Sequence, residues 1–272
     1  MKTARLLTLN LWGAEPPLDR RLELLVEGAR TLGADVIALQ EVRSVPGTVP
    51  NTAETIAAQL GYSWVWAPAT EWGGGEEGLA LLSRWPIVHQ AHRELPHALP
   101  TERRVVLGAA VMTPIGELAV FTTHLNYRLT DGAKREDQVA AVDGFVTDWV
   151  ASRPTSLPRL LAGDFNATPD SDEIRYLRGL HSIAWKRTYY QDAWAACHRD
   201  QPGYTWARKN PQTAGLHWLE RDRRIDYILV SPLARDGRGE VLDCRLAFDQ
   251  PASDGMFASD HFGLLADIRL GA

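Results

Sequence analysis

The chain has 272 residues, 45% hydrophobic and 23% charged, an ordinary globular composition that excludes disordered and fibrous classes. Lysine plus arginine number 29 against 34 aspartates and glutamates, and the net charge of −5 argues against a protein held to nucleic acid by bulk charge, though it leaves room for a local basic patch. Two cysteines, Cys197 and Cys244, are too few for a disulfide framework, and no apolar run approaches the ~20 residues of a membrane span.

The first apolar run is short and broken by Asn10, so it does not read as a signal peptide. The expectation is cytoplasmic residence, with no membrane and no disulfide-linked partner. No composition break or internal repeat divides the chain, which predicts one domain over residues 1–272.

Ala4 to Leu9 predicts a strand that stops at Asn10. Pro16, Pro17 and Asp19 lead into a helix with Leu22, Leu25, Val26 and Ala29 on one face, ended by Gly33. Val36 to Leu39 is an apolar strand, followed at once by Gln40, Glu41 and Val42. Thr52 to Leu60 predicts a second helix and Tyr62 to Trp66 a short aromatic strand. Glu71 to Gly78 contains three consecutive glycines and reads as a mobile loop, with Trp72 as a candidate lid; it lacks the lysine and spacing of a phosphate loop. Leu79 to Leu82 is a strand. Val88 to Pro100 reads as an irregular surface loop carrying His89, His92 and His97. Val105 to Met112 and Leu118 to Thr123 predict a hairpin whose second strand ends in His124.

Lys134 to Val150 predicts a helix with Val139, Val142, Phe145, Val146 and Trp149 as its apolar stripe. Leu160 to Ala162 reads as a buried strand ending in Gly163, where the backbone can turn sharply. Asp164 and Asn166 stand two apart, so an extended backbone points both the same way. Ser171 to Leu180 predicts a short helix, and His181 to Leu219 reads as loops and short strands with aromatics partly in the core. Asp226 interrupts the apolar strand Ile225 to Val230, where a charge costs several kcal/mol unless it is paired or beside a cleft. Val241 to Phe248 is a strand, and Ser259-Asp260-His261 leads into the last one, Leu264 to Leu270. Neighbours on an extended chain point apart, so this tripeptide is not a serine triad.

Asn10, Glu41, His124, Asp164, Asn166, Asp226, Asp260 and His261 form the set of chemically competent residues, most of them at strand ends. Oxygen ligands with few charges and no cysteine select Mg²⁺ or Mn²⁺ over zinc. Histidines beside such an ion can steady a phosphoryl oxygen or supply a proton, and an Asp with an Asn can orient a water. The combination predicts metal-assisted phosphoester hydrolysis.

Thr-Leu-Asn-Leu-Trp, Leu-Gln-Glu-Val, Thr-His-Leu, Gly-Asp-Phe-Asn, Arg-Ile-Asp-Tyr and Ser-Asp-His occur in that order, and the pattern resembles the endonuclease/exonuclease/phosphatase superfamily with its DNase I-like fold. The resemblance implies an α/β/β/α four-layer sandwich, two mixed sheets packed face to face with helices outside. It implies Glu41 as main metal ligand with Asn10 beside it, and Asp260 in or behind the metal shell. Asp164 would align or activate the water and Asn166 would hold it or a phosphate oxygen. His261, oriented by Asp226, would face the scissile phosphate, and His124 would contact a phosphate oxygen. Glu77 stands where some members place a carboxylate that pairs with this last histidine. Trp12 occupies the position of a metal-shell aspartate in the abasic-site repair endonucleases, so the chain is more similar to the sphingomyelinase, tyrosyl-DNA phosphodiesterase and uncharacterised bacterial branches.

The leading expectation is a phosphodiesterase acting on a small molecule or a nucleic-acid end. A DNA or RNA nuclease is the alternative, with Arg104, Arg128, Arg103, Lys134, Arg135 and Arg221 to Arg224 as candidate phosphate contacts, and a non-catalytic binding protein on the same fold is the third reading.

Overall fold

Side chains alternate across a strand, so a strand covered on both faces must be apolar on both. The computed structural model describes residues 2–96, 102–216 and 221–271. Its strands, in chain order, are β1 (Lys2–Asn10), β2 (Val36–Ser44), β3 (Ser63–Trp72), β4 (Gly75–Ser83), β5 (Ile87–Glu94), β6 (Val105–Thr113), β7 (Gly116–His124), β8 (Arg159–Asp164), β9 (Gln191–Asp192), β10 (Asp226–Val230), β11 (Val241–Ala247) and β12 (Gly263–Gly271). The helices are α1 (Leu18–Leu32), α2 (Thr52–Leu60), α3 (Gly132–Ser152), α4 (Asp172–Leu177) and α5 (Ala193–Cys197), with a 3₁₀ turn over Pro211–Leu216.

The strands form two six-stranded sheets, ordered β11-β12-β1-β2-β4-β3 and β5-β6-β7-β8-β10-β9. Each is mixed: β1 and β2 run parallel in the first, β7 and β8 in the second, and the other pairs are antiparallel. Even-numbered residues of the central strands face the opposite sheet. Leu6, Val36, Ala38, Leu118, Val120, Leu160, Ala162, Ile228 and Val230 build that shared core. Their odd-numbered neighbours face the helices: Leu7, Leu9, Ile37 and Leu39 meet α1 and α2, and Phe121, Leu161, Tyr227 and Leu229 meet α3 and α4. The result is the four-layer α/β/β/α sandwich of the DNase I-like fold.

Several local expectations need correction. The glycine-rich stretch from Glu71 to Gly78 is a tight hairpin: Trp72 pairs with Gly75, and Gly73 and Gly74 turn the chain at φ 53° and 75°. Glu77 is therefore a residue of β4. The Val88 to Pro100 stretch contains a regular edge strand, β5, with His89 and His92 exposed on it; His97 lies outside the described residues. The helix expected from Ser171 to Leu180 is confined to Asp172–Leu177. Gly163 lies within β8, at φ 146°, because a Cβ there would come within 2.0 Å of the Thr123 carbonyl. It is the close approach of β7 that requires glycine, not a turn.

Among the described residues, no helix is long and apolar enough to cross a membrane. Cys197 and Cys244 are free thiols.

Candidate active site

The inner face of the central strands turns polar toward one end. First come Thr8, Gln40 and Thr122, all fully buried. Gln40 Nε2 donates to Thr122 Oγ1 at 3.0 Å and Thr8 Oγ1 at 3.2 Å, so one amide ties the two sheets together. Above them lie Asn10, His124, Asp164 and Asp226, each the next inner-face position of its strand. His124 stands in register with Asp164, and Asp164 with Asp226.

Glu41 breaks this parity. Strict alternation from Val36 would point it at the helices. However, Leu39 pairs with Ala80 and Val42 with Gly78, so Gln40 and Glu41 together stand opposite Leu79. This bulge, with Glu41 at φ 52°, turns the carboxylate inward. A non-glycine residue held there costs on the order of 1–3 kcal/mol, a strain that clusters at functional sites. Asn10 Nδ2 then donates to Glu41 Oε1 at 3.0 Å and to Asp164 Oδ2 at 3.1 Å.

Asp164 is the hub. Its Oδ1 accepts the Asn166 N–H at 2.8 Å, while its Oδ2 lies 3.5 Å from His124 Nε2 and 3.8 Å from His261 Nε2. Asn166 is not extended from Asp164 as expected. It sits at φ 50°, and its amide donates to the Leu125 carbonyl at 3.1 Å. His261 Nδ1 meets Asp226 Oδ2 at 2.9 Å. Asp226 thus pairs with a histidine. Ser259 Oγ donates to the Asn10 carbonyl at 2.6 Å and contacts Asp260 Oδ1 at 3.2 Å, which fixes the Ser-Asp-His segment against the end of β1.

Charge at the site is unevenly compensated. Burial, with Glu77 and Asp260 nearby, pushes the Glu41 carboxyl up to about 8. Burial also raises Asp260. Asp164 is raised to about 6 by burial and by Asp226, with His261, the Asn166 N–H and Asn10 pulling the other way. Burial opposes a charged His261, yet Asp226, Asp260 and Asp164 outweigh it and hold its pKa well above the usual value. His124 goes the other way, lowered by burial, Arg104 and His261.

The profile of the endonuclease/exonuclease/phosphatase family matches residues 7–261. The chain belongs to this family. It is 30% identical to the uncharacterized protein YbhP of Escherichia coli K12 over 173 residues, a match covering 60% of this chain and 66%, just under two thirds, of YbhP. Among solved structures, an endonuclease/exonuclease/phosphatase protein of Beutenbergia cavernae superposes with a TM-score of 0.73 at 23% identity, covering 100% of this chain and 72% of that one. TDP2 of D. rerio, complexed with a single-strand DNA product, superposes with a TM-score of 0.76 at 18% identity, covering 99% and 100% of the two chains.

Two groups of side chains offer oxygen or nitrogen ligands to a cation of the kind the family generally uses. Asp164, Asp226 and His261 have ligand atoms within 4.8 Å of one another. In that trio His261 lies between the two carboxylates, with Nδ1 2.9 Å from Asp226 Oδ2 and Nε2 3.8 Å from Asp164 Oδ2. The Glu41 group differs. Glu77 and Asp260 both act on Glu41 as like charges, opposed by the Asn10 amide and by His261. An all-oxygen donor set fits a hard divalent cation better than a trio that includes an imidazole.

A cleft of about 450 Å³ opens beside Glu41, lined by Thr70, Glu77, Glu102, Arg104, His124, Tyr127 and Arg128. Arg104 and Arg128 therefore both reach it. Arg128 is ion-paired with Glu102 and lies over the Tyr127 ring. Other basic candidates are engaged in the scaffold: Arg135 with Glu173 at 2.7 Å, Lys134 with Asp131 at 3.1 Å, Arg103 with Glu94 at 2.9 Å and Arg224 with Asp192 at 2.9 Å. Glu77 does not pair with His124 Nδ1; that nitrogen meets Arg104 Nη1 at 2.9 Å.

Three supporting residues escaped the sequence reading. Thr205 accepts the N–H groups of Ile225 and Asp226 on its hydroxyl, and its carbonyl accepts the Phe262 N–H at 2.6 Å, joining both halves of the His–Asp pair. Asn210 donates to the Ser259 carbonyl at 2.7 Å and the Asp260 carbonyl at 3.0 Å. Arg21 is only 1% exposed and donates to the carbonyls of Leu11, Trp12, Gly13, Glu15 and Ala258. Its signal was present: it falls on the Leu22–Leu25 face of α1, where a charge is out of place. Burial lowers its pKa, while Asp260, Glu15 and Glu41 favour its charge. Arg21→Ala strands several buried carbonyls and is expected to cost about 3 kcal/mol or more. Urea unfolding midpoints check this; a loss below about 1 kcal/mol would mean that water replaces the guanidinium without penalty.

Proposed function

We propose that the protein is a divalent-metal-dependent phosphodiesterase, with Mg²⁺ or Mn²⁺ held by Glu41, Asn10 and Asp260 and with Glu77 behind them. The observation that carries this reading is the Glu41 carboxylate, turned inward on its bulge beside Asn10, Glu77 and Asp260, next to an Asp164 hub flanked by two histidines. A cation bound there would neutralise negative charge on the phosphate as it is attacked.

The chain's own groups divide the remaining work. Asp164, with its pKa near 6, is ionised at neutral pH and accepts the proton of the attacking water. Asn10 and the Asn166 N–H hold its two oxygens, which fixes the direction of that proton transfer. His261, kept cationic by Asp226, donates to a phosphoryl oxygen, and His124 donates to a second. Asn166 positions the loop that carries Asp164, with its side chain turned to Leu125. Arg104 and Arg128 line the approach to the phosphate.

Residues 1–272 act as one catalytic domain in this reading, supported by the core shared between the two sheets. The free thiols support a reducing, cytoplasmic setting. The DNA product held by D. rerio TDP2 supports a nucleic-acid end as one candidate substrate. The engagement of most basic side chains in scaffold ion pairs favours a short or single-ended diester over a long duplex.

The test is hydrolysis of an aryl phosphodiester and its matching monoester with Mg²⁺, with Mn²⁺ and with chelator. The expected result is diester cleavage that a chelator abolishes. Chelator-resistant cleavage would remove the metal from the reading, and monoester preference would replace the phosphodiesterase by a phosphatase.

A further inference from the structure

The two histidines beside Asp164 have opposite hydrogen-bond partners. His261 Nδ1 faces a carboxylate, Asp226 Oδ2, at 2.9 Å. A carboxylate only accepts, so this Nδ1 carries a proton. His124 Nδ1 faces a guanidinium, Arg104 Nη1, at 2.9 Å. A guanidinium only donates and does not deprotonate in proteins, so this Nδ1 must offer its lone pair. The ring proton of His124 is then on Nε2, the nitrogen 3.5 Å from Asp164 Oδ2.

We propose that Arg104 is a positioning residue that locks His124 as a neutral imidazole with Nε2–H aimed at the reacting centre, so that His124 works as a fixed hydrogen-bond donor and the charged role falls to His261. This rests on the phosphodiesterase reading above and specifies how its two histidines differ. Arg104 Nε is enclosed without a hydrogen-bond partner of its own, and the Nη1 contact to His124 is the side-chain hydrogen bond that Arg104 makes.

The charged groups facing His124 are Arg104 from the segment before β6, Asp164 from β8, His261 from the loop before β12 and Glu77 from β4. Of these, Glu77 is the one whose carboxylate, placed at Nδ1, would impose the opposite tautomer. It lies in the same pocket but acts on Glu41. Exchanging a carboxylate for a guanidinium at this contact converts a potential proton donor of imidazolium type into a neutral N–H that cannot be lost to solvent at physiological pH.

The experiment is long-range proton–nitrogen correlation on the ¹⁵N-labelled protein, with the His124 ring assigned from the signals missing in His124→Ala. At neutral pH the expected pattern is an unprotonated Nδ1 and a protonated Nε2. Arg104→Gln retains an N–H donor and is expected to keep that pattern. Arg104→Glu presents an acceptor and is expected to place a proton on Nδ1, with kcat on the aryl diester lower by about 100-fold. A protonated Nδ1 in the wild type, or an Nδ1 that stays unprotonated in Arg104→Glu, would overturn the proposal. The ring nitrogens are read without turnover. An absence of hydrolysis with the expected tautomer therefore overturns the phosphodiesterase reading alone.

Discussion

Glu41→Gln is expected to lower turnover by about 1,000-fold or more while making the chelator-treated protein more stable. The Glu41 carboxylate is a burden on the fold. It sits on a bulge at positive φ, beside Glu77 and Asp260, and its pKa is raised to about 8 from 4.5. A carboxyl whose pKa is higher folded than unfolded binds its proton more tightly in the folded state. Its contribution therefore favours folding at low pH and is lost as pH rises from about 4.5 to about 8. The melting temperature of wild type in chelator should fall by several degrees across that window, and Mg²⁺ should restore most of the loss at its upper end. The isosteric amide removes the charge, so Glu41→Gln should show a flatter pH profile and little response to Mg²⁺. Thermal unfolding at pH 5 and pH 8, with and without metal, decides it. Loss of stability in the variant at both pH values would make Glu41 a structural residue and remove it from the metal site.

The second large effect concerns the pair His261 and Asp226. His261→Ala should reduce kcat by about 1,000-fold and Asp226→Asn by about 100-fold, and the double variant should be no worse than His261→Ala alone, because groups that act as a unit are not additive. Stability should follow a different order. Asp226 is fully buried and His261 is its hydrogen-bond partner at 2.9 Å. His261→Ala leaves that carboxylate uncompensated, at a cost of about 3–5 kcal/mol, and the additional Asp226→Asn change should recover much of it. His261 has a raised pKa, so the stability that it contributes is present at neutral and lower pH and is lost as pH rises through its folded value. Denaturant midpoints and kcat on the aryl diester, measured for the same three variants, check both orders. Additive losses in kcat would break the pair into independent groups.

Much of the site is legible along the chain because period-two alternation is local. Asn10 and His124 continue inner faces that run from apolar Leu6 and Val120 through Thr8 and Thr122, while Asp164 follows Ala162 directly and Asp226 precedes Ile228. A polar residue at the end of such a face must be paired or at the surface of a cleft, and here it is both. The glycines were less legible. Gly73, Gly74 and Gly75 suggest mobility by composition, yet two serve a tight turn and a Cβ on Gly75 would come within 2.2 Å of the Ser44 carbonyl. Glycine reports that the backbone does something a side chain would prevent, and both a loop and a close packing qualify. The edge strand β5 escaped because one of its faces meets solvent, which dilutes the apolar pattern on which a strand reading depends.

The amino-acid sequence by itself determined the central strands and the chemical kinds of residue at their ends, since those follow from side-chain alternation and backbone propensity within a few residues, while the four layers were implied by the family resemblance of its motifs. Only the tertiary structure decided which of them meet. Glu41 turns inward because β4 pairs with β2 through a bulge. His124 takes Arg104, 20 residues away, as its partner rather than Glu77, and His261 takes Asp226, 35 residues away. Arg21 becomes a buried clamp because carbonyls of the loop after β1 and of the Ser-Asp-His segment converge on it. These choices depend on the register and packing of distant strands, where hydrogen bonding and desolvation rather than local periodicity determine which contact forms.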